Sequence, residues 1–481
     1  MLPGWFSLGV FVSVCIIPAT GMSIKPFFRS PEIMRHPILL LSLLAAPLFA
    51  RAQEFQIVYK VTGSVVEETA TGVTEKGLTP GHWVVRLGAD YSCLAESAGM
   101  TVHDYKGKRV LRFITDVKTS DHSLFALPAR RQTDFLRQME SLGLLRRAGL
   151  AGANIDAQIH ELENRLGMKS GLPLSTRPVK SRDPAGNFTY LMENRLTASF
   201  TMSETEVPKD RRRMFSRFLL TALPMHPDLR ADLETYHRVP SRLKIRTMHG
   251  DQKRYTTLEL VAAGPADDLL YGEQQRAPVP PAAGSRLARL VRRSLDPEEH
   301  DRLPRGADDF AAGFNNAVQQ GYHTDAMLVA LECYLQVGDS TDKAVDALLP
   351  YSKRDPALGN FLASMSLAGD PATAGKAVEA LNKIDRDSLL RKHLFDFSVA
   401  NALTSLGKLR EAEGLYLAAL DQNPLLAGVY VKLGQLYYDS ERMEDAWLCW
   451  DTARMLRPDH PMLTIPLGVE ARLMKDLPDY F

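Results

Sequence analysis

Three histidines in the first half of the chain are potential metal ligands. Their positions in the fold decide whether they could bind one metal ion together. His82, His103 and His122 fall in three separate segments that alternate like β-strands. Imidazole nitrogens are common metal ligands, but isolated histidines on strands are usually surface residues. We therefore expect no metal site, no cofactor and no catalytic residue among them.

Two further segments resemble known chemical motifs, but one lacks the required spacing and the other lacks a required residue. Gly369 to Lys376 has the glycines and lysine of a phosphate-binding loop, but five residues instead of four separate the glycines. Asn164 stands where a zinc motif starting at His160 needs its second histidine. The Gly-x-Ser-x-Gly pattern of many hydrolases is absent from the sequence. These observations predict a protein that is not an enzyme, and a hydrolase without a recognisable motif in the β-rich half is the alternative.

The composition is that of a packed protein without strong charge. Of the 481 residues, 45% are hydrophobic and 24% charged, and the formal net charge is +1. Such a balance supports folded cores and argues against broad attraction to nucleic acid. Basic runs such as Arg130–Arg131 and Arg211–Arg213 are therefore interpreted as solvated helix faces.

A secretory signal peptide is predicted over residues 34–52. A basic start at Met34-Arg35-His36 precedes the apolar run Pro37–Ala50, and the run ends in Ala50-Arg51-Ala52. This order of features is typical of signal peptides, and cleavage is expected between Ala52 and Gln53. The mature protein is then periplasmic or otherwise exported.

Residues 1–33 are predicted to lie upstream of the true translation start at Met34. They add a second apolar run ahead of the signal, which is unusual for an exported protein. The alternative is an amino terminus anchored in the membrane through Trp5–Ile17. After cleavage three cysteines remain, and we expect small buried side chains rather than a disulfide framework: Cys93, Cys333 and Cys449.

The C-terminal third repeats one pattern with a period of 34 residues. Pro458 and Pro424 end two copies 34 positions apart, and Pro356 lies two periods further back. Ala446 and Ala412 keep the same phase within their copies. Small residues at these positions let two antiparallel helices approach, and proline ends the second helix. One such unit cannot bury its apolar face alone, so several must stack.

This pattern resembles the tetratricopeptide repeat, a helix-turn-helix unit that stacks into a solenoid. The last copy carries the full signature: Tyr430, Leu433, Gly434, Tyr437, Ala446, Trp450, Ala453 and Pro458. The third copy keeps the later positions, and the second copy is weak. The resemblance implies about four repeats over residues 306–458, followed by a capping helix over residues 459–481.

The resemblance also implies a protein or peptide partner in the concave groove that the first helices line. The inward positions of the better repeats are polar with one aromatic: Asn401, Thr404, Lys432, Gln435 and Tyr438. Such side chains can hydrogen-bond an extended chain. The basic clamp of family members that bind chaperone tails is not reproduced, because Val329 and Cys333 occupy the matching places in the first repeat.

Residues 53–263 are predicted to form an α+β domain with a curved antiparallel sheet. Alternating stretches punctuated by Gly, Asp and Ser are interrupted by helical segments. The succession of strand, turn and short hydrophilic strand over residues 88–120 gives residues 54–130 a resemblance to the half-barrel domains of exported lipoprotein carriers. That resemblance implies an apolar concavity for a lipid or a peptide, and a domain with a filled core is the alternative.

A proline-rich linker and one helix are predicted over residues 264–305. Pro278, Pro280 and Pro281 favour an extended spacer. The segment after Ser285 is expected to form one helix beneath the first repeat, with its arginines toward solvent. The predicted fold class is therefore multi-domain, with an α+β domain followed by an all-α solenoid.

The predicted function is that of an exported, non-enzymatic scaffold or adaptor in the bacterial cell envelope, which binds a protein or peptide partner through its repeats. Neither nucleic acid nor a cofactor is expected as a ligand. The alternative is a carrier of lipid or another small ligand that uses the β-rich domain, with the repeats for docking. Association with the membrane is compatible with both functions.

Overall fold

Alternating apolar residues build the first strand of the chain. Phe55, Ile57 and Tyr59 are buried, whereas Lys60 is exposed. Successive side chains of a strand lie on opposite faces, so this alternation gives the sheet one apolar face. The strand predicted at the start of the β-rich region is confirmed.

The computed structural model of the protein describes residues 54–69, 72–114, 117–148, 155–172, 174, 178–192, 195–249, 252–266, 284–303 and 306–481. The predicted signal peptide, the segment upstream of it and the three linker prolines lie outside these residues. Within them, eleven strands form one sheet: β1 (Glu54–Thr69), β2 (Gly72–Leu87), β3 (Tyr91–Glu96), β4 (Gly99–Asp104), β5 (Arg109–Ile114), β6 (Val117–Ser123), β7 (Val179–Arg182), β8 (Phe188–Met192), β9 (Arg195–Glu206), β10 (Arg238–His249) and β11 (Gln252–Ala266).

Neighbouring strands of the sheet are antiparallel, in the order β6-β5-β4-β3-β2-β1-β11-β10-β9-β8-β7. The first strand pairs with the last, and Glu54 lies opposite Ala266. A register shift between Val58 and Tyr59 marks a β-bulge, which bends a strand and increases its twist. The predicted antiparallel sheet is confirmed, and β11 runs to Ala266, past the predicted boundary at residue 263. Residues 250 and 251, which join β10 to β11, lie outside the described residues.

Four helices accompany the sheet: α1 (Ala126–Arg147), α2 (Ile155–Leu166), α3 (Arg212–Ala222) and α4 (Pro227–Tyr236). The helical segments predicted within the β-rich region correspond to α1, α2 and α3. Phe215 and Phe218 of α3 and Leu229 of α4 belong to one buried cluster with Ile57 and Phe200 of the sheet. These helices therefore supply large apolar side chains to the inner face of the sheet.

Twelve helices follow in the described C-terminal part: α5 (Arg286–Ser294), α6 (Pro297–Arg302), α7 (Ala307–Gln319), α8 (His323–Val337), α9 (Asp342–Leu348), α10 (Pro356–Leu367), α11 (Ala374–Leu381), α12 (Lys392–Ser405), α13 (Leu409–Gln422), α14 (Ala427–Asp439), α15 (Met443–Leu456) and α16 (Thr464–Asp476). The α+β layout followed by helices is therefore as the sequence predicts. Antiparallel packing joins α10 to α11, α12 to α13 and α14 to α15, whereas α8 packs mainly along α7.

Small residues allow the two helices of the last pair to approach closely, as predicted. A Cβ added to Gly434 would overlap the indole of Trp450 and would lie 3.0 Å from the carbonyl oxygen of Ala446. Trp450 and Ala446 are fully buried, and the indole N–H donates to the carbonyl of Val431 at 3.2 Å. The close approach of α14 to α15 therefore requires glycine at position 434.

The segment after Ser285 forms two helices instead of the predicted single helix. Pro297 begins α6, because proline cannot continue a helix and its ring suits the first helical position. The side chain of Asp296 caps α6 by accepting the backbone N–H of Glu298 at 3.0 Å. The predicted position beneath the first repeat is also wrong, since α5 packs on α13 and α15. Its arginines are not simply solvated, because Arg286 forms an ion pair with Asp421.

The sheet region and the helical array share an interface, and Ala52–Phe481 forms one compact unit. Ion pairs join Arg109 of β5 to Asp451 of α15, and Arg130 of α1 to Glu444. Arg131 donates to the carbonyl of Leu220 at 2.7 Å. Arg131 is thus bound within the protein, in contrast to the solvated face that the sequence suggests, whereas the side chain of Arg130 is 51% exposed.

The C-terminal helix packs against α14, and the residues after it turn back to the sheet region. Glu470 of α16 is buried and accepts the indole N–H of Trp447 at 3.1 Å. The ring of Phe481 contacts that of Phe125, with centroids 4.7 Å apart, and its carbonyl accepts from Arg213 at 2.8 Å. The predicted capping helix is present, and its end is held by the first region of the chain.

The three cysteines predicted to be buried are buried and unpaired. Burial raises the pKa of Cys93 to about 12 and that of Cys333 to about 11, and it raises the pKa of Cys449 further above the usual range. These thiols are therefore protonated at neutral pH and are not nucleophiles. In the ranges that the structure describes, no helix combines the length and the apolar character needed to cross a membrane.

Candidate functional site

The three strand histidines do not meet. His82, His103 and His122 lie on β2, β4 and β6, and a further strand separates each from the next. Neighbouring strands are about 4.8 Å apart, so alternate strands place side chains at roughly twice that distance. Burial, followed by the charge of Arg131, lowers the pKa of His103 to about 4. His103 is therefore neutral near pH 7 and stacks beside Tyr105.

The segment Gly369 to Lys376 covers the turn between two helices and the first residues of the second helix. It joins α10 to α11, and the hydroxyl of Thr373 donates to the carbonyl of Leu367 at 2.8 Å. A phosphate-binding loop follows a strand instead. The interpretation of this segment as an inter-helix turn is confirmed.

A different group of potential metal ligands is brought together by the fold. His160 and Glu163 lie on α2, and His226 precedes α4; in the described part of the chain these three form a cluster with ligand atoms within 4.8 Å of one another. All three side chains are buried. Glu163 Oε2 lies 3.2 Å from His160 Nδ1 and 3.2 Å from His226 Nε2. The only sequence signal for this cluster is the three-residue spacing of His160 and Glu163, which places both on one helix face.

The hydrogen bonds of His226 argue that the cluster holds a carboxylate and not a metal ion. Its Nδ1 accepts the backbone N–H of Asp228 at 3.2 Å, so the neutral ring carries its proton on Nε2 and donates it to Glu163. A histidine that binds a metal normally donates its second ring N–H to an acceptor. Here that second nitrogen is itself an acceptor, which makes the metal-binding tautomer unavailable without loss of the helix cap.

Glu163 is ionised in this setting. Burial alone would raise its pKa, but hydrogen bonds from His160, His226 and the backbone N–H of Ser170 outweigh burial and lower the pKa well below the usual range. Next to it, Asn164 accepts from the backbone N–H of His226 at 3.0 Å and donates to the carbonyl of Arg246 at 3.1 Å. These hydrogen bonds connect α2 to the start of α4 and to β10. The cluster therefore stabilises the fold.

The first helices of the array enclose a cavity. α8 contacts α12 and α14 in addition to its neighbour α10, so it occupies part of the groove that the sequence predicts to be open. Glu332 of α8 accepts from Arg391 at 2.9 Å and from Asn423 at 2.9 Å, and the carbonyl of Tyr334 accepts from His460 at 2.9 Å. These bonds hold α8 inside the array and reduce the groove to a cavity of about 410 Å³.

Asn401 and Lys432 are the two predicted partner-binding residues that line this cavity. The Oδ1 atom of Asn401 accepts the hydroxyl of Tyr416 at 2.8 Å. Burial lowers the pKa of Lys432. Within the residues that the structure describes, the ammonium of Lys432 has no hydrogen-bond or ion-pair partner.

The other three predicted residues are engaged elsewhere. Thr404 donates its hydroxyl to the carbonyl of Ala400 at 2.8 Å, and Gln435 donates to Asp439 at 2.8 Å. The ring of Tyr438 packs on the two buried tryptophans of α15, with centroids 5.9 Å from Trp447 and 5.7 Å from Trp450. Tyr438 therefore packs against α15, the partner helix of its own pair, and forms an aromatic cluster with these two tryptophans.

Other cavities in the described residues differ in character. One of about 550 Å³ lies between α6 and the array, and polar side chains line much of it: His300, Asp301, Gln336 and Arg457. Another of about 290 Å³ lies beside α7 and is mainly apolar. A cavity beside α3 and α4 in the sheet region measures about 180 Å³.

Comparisons with known proteins define no family. No model of a known protein family matches the chain, and no curated protein matches it. A solved structure described as lipid–protein interactions in lipovitellin aligns with 85% of this chain at 8% sequence identity and a TM-score of 0.15. The chain spans about 58% of the length of that structure. A likeness at this TM-score supports no inference about fold or function.

Proposed function

We propose that this protein is an exported, non-enzymatic scaffold that receives a protein or peptide partner in the cavity between the first helices of its repeats. The observation that carries the proposal is the cavity itself, which α8, α10, α12 and α14 line together and to which Asn401 and Lys432 contribute. A volume of about 410 Å³ accommodates a few side chains of a partner. Ligand sites of about 300–1,000 Å³ are usual for proteins.

The assignment of the helical pairs to the tetratricopeptide type is part of this proposal. Its support is that burial and backbone conformation recur one period apart. Ala446 and Trp450 in the last pair, and Ala412 and Tyr416 in the preceding pair, are all fully buried. Gly407 and Glu441, which are 34 positions apart, both adopt left-handed backbone conformations after the first helix of their pairs.

The alternative function, a lipid carrier that uses the sheet region, has less support. α3 and α4 supply aromatic and aliphatic side chains to the inner face of the sheet. The cavity beside them, about 180 Å³, is smaller than the usual range for a ligand of lipid size.

Photo-crosslinking of the protein in the cell envelope distinguishes the scaffold function from the carrier function. A benzophenone side chain is placed at Thr464, which is exposed at the rim of the array cavity, and at Ser216, which lines the cavity of the sheet region. The matched control is Lys383, which is exposed on the array and is not among the residues that line either cavity. Mass spectrometry then identifies each adduct.

The scaffold function predicts a polypeptide adduct at Thr464 that exceeds any at Lys383. A lipid adduct at Ser216 with none at Thr464 would favour the carrier. Equal labelling at Thr464 and Lys383 would overturn the proposed use of the cavity.

A further inference from the structure

The second half of α1 lies outside the buried core of the sheet region. The buried residues of α1 end at Phe135, and the helix continues to Arg147, about 18 Å further along its axis. On one side of this stretch, Met139 and Leu142 pack against a small cluster that includes Leu162 of α2. Residues 136–148 are half-buried or exposed. The end of α1 is therefore available for contact with another molecule.

Two neighbouring leucines are exposed at this end. Leu144 is 55% exposed and Leu145 is 43% exposed. Leu144 lies about two and a half helical turns after Phe135, and so on the side of the helix opposite to the buried one. Single apolar side chains on a surface are common, whereas neighbouring ones at a helix end form a continuous apolar surface. Burial of that surface in an apolar phase would be favourable.

Two arginines follow the leucines directly. Arg146 and Arg147 are exposed, and their guanidinium groups have no hydrogen-bond or ion-pair partner in the described part of the chain. Earlier on the same helix, by contrast, Arg137 forms ion pairs with Asp134 and Glu441. Residues 141–148 contain no acidic side chain. The end of α1 therefore combines an apolar surface with uncompensated positive charge.

A bilayer that contains anionic lipids matches both properties. Leucine side chains at a membrane surface enter the boundary between headgroups and acyl chains, while arginine side chains extend to the phosphate groups. Each arginine near an anionic surface adds to the attraction. An acidic protein surface would match the charge, but a stable protein interface buries about 1,200–2,000 Å² in total, more than four residues at a helix end can supply.

We infer that residues 144–147, at the end of α1, form a contact surface for bilayers with anionic lipids. Leu144 and Leu145 enter the headgroup boundary, and Arg146 and Arg147 bind the phosphate groups. This surface lies on the sheet region and not on the array. The inference therefore does not depend on what the array cavity binds.

Co-sedimentation with vesicles measures this binding. One set of vesicles contains phosphatidylcholine alone, and the other contains equal parts of phosphatidylcholine and phosphatidylglycerol, so the two sets differ in charge. The protein is isolated from the cell envelope, and every variant is prepared in the same way. Each set is measured at low and at high salt, because salt screens the attraction between charges.

We expect the protein to bind the anionic vesicles about tenfold more tightly than the neutral ones at low salt, and high salt should remove most of this difference. Leu144→Ser together with Leu145→Ser should weaken binding to the anionic vesicles about tenfold, because the apolar contribution is lost. Arg146→Gln with Arg147→Gln should abolish the preference for anionic vesicles. Arg146→Lys with Arg147→Lys should keep most of that preference, since a charged bilayer attracts either cation.

The matched control carries the same kinds of change on the array. Leu349 is 56% exposed, and Lys353 and Arg354 are exposed close to it in the sequence. Leu349→Ser with Lys353→Gln and Arg354→Gln should leave vesicle binding unchanged. Circular dichroism melts check that every variant is folded.

Three results with vesicles would overturn the inference: equal binding to neutral and anionic vesicles, no binding to either, or a loss in the control as large as that in the α1 variants. Capture of an acidic protein through Arg146 and Arg147, without vesicle binding, would also overturn it and would assign the surface to a protein partner. None of these results bears on the proposed function, which crosslinking at Thr464 tests separately.

Discussion

The ring of Phe125 stacks on the indole of Trp447, with centroids 6.2 Å apart and planes within 8° of parallel. Phe125 precedes α1 of the sheet region, and Trp447 lies on α15 of the last helical pair. Both side chains belong to the buried core cluster of the array. The sheet region therefore supplies part of the array's core, although the sequence suggests two regions that fold independently.

Replacing Phe125 by alanine should destabilise the whole protein. Phe125 is 2% exposed, and deletion of a buried phenylalanine ring costs about 3–5 kcal/mol. Urea unfolding followed by tryptophan fluorescence and by circular dichroism should give one shared transition, shifted to lower urea. Leu136→Ala on α1 is the control, since Leu136 is 60% exposed and its loss should cost less than about 0.5 kcal/mol. Two separate transitions, with the helical one unmoved by Phe125→Ala, would contradict the shared core.

Replacing Gly434 by alanine should cost stability, because the added methyl group overlaps Trp450. Overpacking of this kind costs about 1–3 kcal/mol. Gly414→Ala on α13 is the matched control: nothing lies within 4 Å of its added Cβ, so better helix propensity should stabilise the protein by about 0.5–1 kcal/mol. In the double variant with Trp450→Ala, the cost of Gly434→Ala should largely vanish. Additive effects in denaturant unfolding would show that the two residues do not meet.

Acid should remove the stabilisation that Glu163 provides. Its pKa is lower in the folded protein than the ordinary value of 4.5, so its contribution is complete above that value and is lost as the pH falls below it. Glu163→Gln should cost roughly 1–3 kcal/mol at neutral pH. It should also flatten the decline of the free energy of unfolding between about pH 5 and pH 2. Glu140→Gln, an exposed change on α1, should keep the full decline. An unchanged pH profile in Glu163→Gln would refute the role given to this carboxylate.

Zinc should not stabilise the cluster of His160, Glu163 and His226. The nitrogen that a metal-bound His226 would use as donor already accepts from the backbone of Asp228. Thermal unfolding should therefore be the same with chelator and with added zinc. A rise in melting temperature on adding zinc that His160→Ala abolishes would show a metal site instead.

The mature protein should begin at Gln53 and be found in the periplasm. The apolar run ending in Ala50-Arg51-Ala52 is the reason for this expectation. Amino-terminal sequencing of the protein isolated from the envelope checks it. Recovery of residues before Met34 in the mature chain would instead favour the anchor through Trp5–Ile17.

Local patterns of apolar and small residues predicted the strands and helices well, because these patterns indicate which face of a strand or helix is buried. The alternation of Phe55, Ile57 and Tyr59 predicted β1, and the 34-residue period placed Gly434 against α15. Contacts between distant segments leave no such pattern. Nothing in the sequence near Trp447 indicates that its partner is Phe125.

The candidate site was predictable only in part, for the same reason. The repeat pattern placed Asn401 and Lys432 on inward faces, where they line the cavity. It did not show that α8 would occupy part of the groove or that Tyr438 would pack on the two tryptophans, since both depend on how the helices pack. The meeting of His226 with Glu163 likewise requires the tertiary fold.

The first strand of the sheet pairs with the last one in the sequence. The sheet therefore cannot be completed before the last strand has been synthesised. Residues Glu54 and Ala266 are partners, so β1 lacks one neighbour until β11 has been made. Pairings so distant in sequence form slowly, and an unpaired strand edge invites association with other chains. The contact between Phe125 and Phe481 likewise joins two segments that are far apart in the sequence. Until β11 has been made, the open edge of β1 is therefore available for such association.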